Sequence, residues 1–167
     1  MEYHTNTIPW KKILDEALEM GYYSHNSGTC GLHVHINRAA LGESVEEQEN
    51  TIARIVYFFE KFWDKILRFS RRTETQADRW ASRYGCSMDN PKESLKGAKT
   101  SGLRIFRGTL RYKTFMATLQ FVDLLCEMAI NLTDEEFQTM TWKEFAKTVS
   151  ADKAELKEYL KIRGLEE

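Results

Sequence analysis

Two histidines stand two residues apart, His33 and His35, inside the run LHVHIN at 32–37. Neutral imidazole is a good metal ligand and the protonated ring donates to anions, so two such rings side by side can carry chemistry. Strict alternation of apolar and polar residues predicts a strand, with His33 and His35 on one face and Leu32, Val34 and Ile36 on the other. The preceding stretch 24–31, SHNSGTCG, has the composition of a loop and supplies backbone donors next to the rings. The same spacing also suits a pair of half-buried polar residues on the wet face of an edge strand.

Arginine is the second signal. Arg68, Arg71, Arg72, Arg79 and Arg83 fall in one region, and Arg104, Arg107 and Arg111 in another. The planar guanidinium fork matches carboxylate or phosphate better than the point charge of lysine, so convergence of the two regions would make an anion site. For the first group the alternative is a set of solvated helix faces paired with Asp and Glu. Arg104 is predicted to face away from Leu103 and Ile105, where its charge requires solvent or an anion.

The elements that must position these residues are legible from periodicity and caps. Pro9, following Thr7, opens a short amphipathic helix carrying Trp10, Ile13, Leu14, Ala17 and Leu18, stopped by Gly21. Ser44 and Glu47 form a capping box before the longest periodic segment, Ile52 to Leu67, read as one long helix forming the spine of the core with Phe59, Phe62 and Trp63 inside. Thr73 or Thr75 caps a further helix through Trp80 and Tyr84, ended by Gly85. Residues 86–102, with Pro91, Gly97 and a Lys/Ser mixture, are expected to be a flexible loop. LRIFRGTL at 103–110 reads as a second strand closed by Gly108, and a helix apolar on more than one face follows from about Arg111 to Asn131. Thr133 with Glu136 and Thr141 with Glu144 are two more capping boxes in a tail of short helices. Together these predict an α+β fold: a small, mainly antiparallel sheet packed by helices.

A length of 167 residues fits a single domain, and a hydrophobic fraction of 42% is enough for a sizeable core and excludes global disorder. The formal net charge of −1 gives no whole-chain field to recruit nucleic acid or an anionic membrane, so any such partner needs a local patch. Cys30, Cys86 and Cys126 are odd in number and lack CxxC spacing, which reads as reduced thiols in a cytosolic protein. The N-terminus lacks the pattern of a signal peptide, and charges interrupt every apolar stretch before membrane length, so a cytoplasmic, non-membrane protein is expected.

Several long motifs occur in a specific order: CGLHVHIN at 30–37, Glu60 through FWDKILRFSRRT, RWASRYG at 79–85, RIFRGTL at 104–110 and TFMATLQFVDLL at 114–125. In this order, over nearly the whole chain, the sequence resembles the phage-type amidoligases, carboxylate–amine ligases with a glutamine-synthetase-like fold. The resemblance implies part of a glutamine-synthetase-like catalytic domain. It also implies a chemistry in which ATP phosphorylates a carboxylate and an amine displaces the phosphate, with magnesium neutralising the phosphate charge. It makes His33 a metal ligand, His35 a phosphate contact and Arg104 the arginine of an E-x-R element that stabilises the transferring phosphoryl group. Arg107 is a second catalytic candidate on that element.

Three departures from the family pattern stand beside these matches. The glutamate of E-x-R, a metal ligand, is replaced by Gly102. The connection between the RYG-like helix and the second strand is shorter than in relatives, and the family's N-terminal region with metal-binding acidic strands has no counterpart. The expectation is therefore a shortened amidoligase-like domain over 1–167 with a vestigial metal site, binding neither ATP nor magnesium tightly. It would act as a phage or mobile-element inhibitor against a host system. Arg68, Arg71, Arg72, Arg79 and Arg83 are its expected contact surface for a host protein or ribonucleoprotein. The alternative is a working ATP- and magnesium-dependent carboxylate–amine ligase, completed by another chain.

Overall fold

A computed structural model of the chain describes residues 7–24, 27, 30–81, 83 and 102–167. The described elements run α1 (Trp10–Glu19), β1 (Gly31–His35), a 3-10 turn (Arg38–Leu41), α2 (Val45–Lys61), α3 (Trp63–Ser70), α4 (Glu74–Trp80), β2 (Gly102–Arg107), α5 (Tyr112–Asn131), α6 (Asp134–Thr139), α7 (Trp142–Lys147) and α8 (Ala154–Ile162). The fold is α+β: β1 and β2 pair antiparallel as a two-stranded sheet, and helices pack against it. The expected loop at 86–102 lies, apart from Gly102, outside the described residues, as do Tyr84, Gly85 and Cys86.

The expected single helix from Ser44 to Leu67 is two helices, α2 and α3, separated at Phe62 (φ −109°, ψ 30°). Distant contacts hold this break. The Lys61 ammonium donates to the carbonyl oxygens of Gln138 at 2.5 Å and Met140 at 2.6 Å, at the end of α6. The Phe62 ring lies 4.8 Å from Phe58 and 5.6 Å from Trp142. The helix restarts at once, so the apolar stripe survives, and Ile66, Leu67 and Phe69 are buried with Ile55, Phe58 and Phe59. Phe62 and Trp63, expected inside, are only partly buried against the core.

The centre of the core is shared by the Ser44 helix, through Phe58, and by α5. Phe121 is fully buried, and its ring stands 4.5 Å from Phe69, 5.6 Å from Phe145, 6.2 Å from Phe106 and 6.3 Å from Phe58. One side chain thus joins α2, α3, β2 and α7. On the next face of α5, the Gln120 amide oxygen accepts from the Leu156 N–H at 2.8 Å and its nitrogen donates to Glu155 at 2.7 Å, which caps the first turn of α8. Lys153 and Asp123, both largely buried, pair at 3.0 Å. The C-terminus is tied down by the Trp142 indole N–H donating to the Leu165 carbonyl at 2.7 Å.

The predicted caps form. Ser44, Thr73, Thr133 and Thr141 each accept from the backbone N–H three residues on, and Glu47, Gln76, Glu136 and Glu144 return the bond. Among the described residues no helix is long and apolar enough to cross a membrane.

Candidate functional site

The strand pair places His33, His35 and Arg104, three of the residues singled out for ligase chemistry, on one small sheet. Leu32 opposes Phe106 and Val34 opposes Leu103, so the register shifts by one residue and Arg104 and Ile105 together face His33 across a β-bulge. Val34, Ile105 and Phe106 are buried, while His33, His35 and Arg104 are exposed. Alternation from the Val34–Leu103 pair therefore puts the two imidazoles and the Arg104 guanidinium on the same solvent face. Gly102, in the place of the family glutamate, is the direct partner of His35, so the face carries no side chain opposite that ring. A Cβ placed on Gly31 would stand 3.1 Å from His33 Nε2 and 3.2 Å from Arg72 Nη2, so glycine gives these two groups the space to approach each other. Among the described residues no group of three or more His, Cys, Asp or Glu side chains is placed to hold a metal ion.

The five arginines assigned to a partner surface separate into three environments. Arg71 and Arg72 turn inward onto β2. Arg71 donates to the Arg107 carbonyl oxygen at 2.6 Å and the Gly108 oxygen at 3.2 Å, and Arg72 donates through Nε to the Ile105 oxygen at 2.6 Å. These bonds hold the end of α3 against the bulged strand, satisfying carbonyl groups on β2. Burial lowers the pKa of both arginines, and repulsion from Arg107 adds to it. Arg83 is committed to Glu60, whose side chain is buried, at 2.9 Å, and lies over the Trp63 ring. Arg79 is exposed on α4, and Arg68 lies at a cleft on the other side of α3.

That cleft has a volume of about 930 Å³ and is bounded by the end of α3, the end of β2, the start of α5 and one face of α8. Six arginines line it, Arg68, Arg71, Arg72, Arg107, Arg111 and Arg163, together with Lys11 and Lys113. Its two carboxylates are already engaged: Glu158 pairs with Lys113 at 2.8 Å, and Glu155 accepts from Gln120. Arg107, Arg111 and Arg163 all lie close enough to Arg71 to repel its charge. Buried Tyr159 forms the floor, donating to the Phe69 carbonyl oxygen at 2.9 Å, with its phenol pKa raised by burial.

The sequence grouped Arg104, Arg107 and Arg111 together, and the structure divides them. Arg104 stays on the strand face, whereas Arg107 and Arg111 meet the α3 arginines in the cleft. Arg163 went unnoticed, since nothing around it in sequence marks it. Its guanidinium reaches the cleft by donating to the Arg68 carbonyl oxygen at 2.6 Å, and Gly164, in the left-handed region at φ 60°, turns the chain under Arg68.

No family model, curated protein or solved structure matches the chain.

Proposed function

We propose that the chain is a shortened amidoligase-like protein that acts by binding a host macromolecule in the cytoplasm, as a phage or mobile-element inhibitor would, and does not catalyse ligation on its own. The observation that carries this reading is Gly102 opposite His35. Magnesium relies on oxygen ligands, commonly carboxylates, and must neutralise phosphate charge during phosphoryl transfer. Among the described residues, the strand face offers that ion two imidazoles and a guanidinium, which is a poor fit. The exposed cations Arg68 and Arg79 support a contact role, whereas Arg71, Arg72 and Arg83 are committed to groups of the fold itself.

Phosphate release measured with ATP, magnesium or manganese, and mixed carboxylates and amines tests the reading: no turnover above the protein-free blank is expected. Turnover abolished by Arg104→Ala would overturn it. In a capture experiment from the native host, the partner should remain bound to His33→Ala and be lost from the Arg68→Glu/Arg79→Glu double variant.

A second reading has its own support, because His33, His35 and Arg104 do share one face. In that reading the chain is half of an ATP-dependent carboxylate–amine ligase, and a second chain contributes the missing carboxylates. Mixing with the product of the adjacent reading frame distinguishes the two, since only the second reading expects turnover from the mixture.

A further inference from the structure

The geometry points to the arginine-lined cleft as a binding site for a ligand carrying two or more linked phosphate groups, distinct from the His35 and Arg104 part of the strand face and sharing Arg68 with the contact surface proposed above. Three observations converge on this chemistry.

The first is an excess of positive charge: six arginines and two lysines line the cleft against two carboxylates. Six guanidiniums from α3, β2, the start of α5 and the end of α8 are gathered around one concavity, while the two lining carboxylates are held by Lys113 and Gln120. Like charges at such a site repel, and the lowered pKa of Arg71 beside Arg107, Arg111 and Arg163 registers that repulsion on top of burial. A bound polyanion removes it. Among the described residues no carboxylate pairs with Arg68 or Arg111, so both forks are available to a ligand.

The second is the helix start that opens into the cleft. α5 is 20 residues long; its N-cap is Arg111, which makes no side-chain cap, and its first turn contains no acidic residue. Tyr112, Lys113 and Thr114 of that turn line the cleft. The unsatisfied N–H groups and the positive end of the helix dipole therefore add to the same field as the guanidiniums, a combination suited to phosphate oxygens. Four other helices of this chain close their first turns with capping boxes.

The third is shape. About 930 Å³ lies in the range of sites that enclose small ligands, and the arginines surround a concavity with Tyr159 at its base. A single-stranded nucleic acid instead follows an open groove with exposed aromatic platforms for successive bases. The cleft therefore favours a compact polyphosphate, either free or as the tail of a nucleotide.

The test is titration calorimetry on the full chain with tripolyphosphate, ATP, orthophosphate and a twelve-nucleotide RNA. Tripolyphosphate should bind at least tenfold more tightly than orthophosphate, and Arg111→Gln and Arg68→Gln should each weaken it about tenfold or more, with unchanged melting temperatures before ligand is added. Among the described residues neither side chain donates a hydrogen bond to the fold, so both variants should remain folded. His35→Ala and Arg104→Ala on the strand face should bind like the parent. ATP binding no tighter than tripolyphosphate would identify the phosphates alone as the ligand, and tighter binding that keeps the same arginine dependence would identify a nucleotide; either supports the site. No binding by any probe would overturn the proposal. So would binding that depends on His35 or Arg104 instead of Arg68 and Arg111, or RNA binding that tripolyphosphate fails to displace. Phosphate-release results bear on the ligase readings and leave this outcome unchanged.

Discussion

Arg71 ends α3 at φ 63°, where an L residue other than glycine is strained by roughly 1 kcal/mol or more, and it is the one non-glycine at positive φ among the described residues. Its two hydrogen bonds to the Arg107 and Gly108 carbonyl groups explain why the strain is tolerated, since bonds from a charged donor contribute about 1.5–3 kcal/mol each. Arg71→Ala keeps the strained backbone and loses both bonds, so a loss of about 2–4 kcal/mol is expected in urea denaturation. Arg71→Gly loses the same bonds but relieves the backbone, and should be less destabilised by about 0.5–1 kcal/mol. If the glycine variant is the less stable of the two, backbone strain at this position has been misjudged. The residue scale also shows how one side chain can be misread: arginine is chemically suited to an external anion, yet Arg71 and Arg72 use the same fork on the carbonyl groups of their own strand.

At the scale of elements, caps act locally and titrate. Backbone N–H donors at Ser44, Thr133 and Thr141 hold the carboxyl groups of Glu47, Glu136 and Glu144 below their ordinary range. A carboxyl group depressed in the folded state stabilises the fold above its unfolded pKa of 4.5, and that contribution is lost as the pH falls through the lower folded value. The protein is therefore expected to lose stability on acidification below about pH 5. The triple variant Glu47→Gln, Glu136→Gln, Glu144→Gln should show a shallower acid limb when melting temperature is followed from pH 6 to pH 3. An unchanged limb would place the acid sensitivity elsewhere. Thr141→Ala, which removes the acceptor for the Glu144 N–H, should cost about 1 kcal/mol at neutral pH. Cys126, on the half-buried side of α5, has its thiol pushed up to about 11 by burial and is expected to react slowly with alkylating reagents at neutral pH compared with exposed Cys30.

For the molecule as a whole, Phe121 joins the sheet to the helices on either side of it, and truncating a fully buried Phe costs about 3–5 kcal/mol. In a chain of this size that corresponds to a fall in melting temperature of roughly 10 °C. Trp63→Ala should lower it less, because that ring is only partly buried, beneath Arg83. Equal losses from the two variants in calorimetry would mean that the core extends further toward α3 than its burial indicates. Read by itself, the sequence determined the strand alternation at 32–36, three capping boxes and the α+β class, because these rest on local patterns of residues; the fourth box, Thr73 with Gln76, is seen only in the structure. Alternation also separates His33 and His35 from Val34, and Arg104 from Leu103, since it is a local property of a strand. Three features depended on the tertiary structure. The break at Phe62 is held by Lys61 reaching the end of α6, the inward turn of Arg71 and Arg72 needs the carbonyl groups of β2, and the cleft needs Arg163 brought from 95 residues away onto Arg68. Each is decided by which distant segments pack together: a guanidinium or an ammonium has the same local signature whether it meets water, a carbonyl group of its own fold or an external phosphate, and only packing determines which.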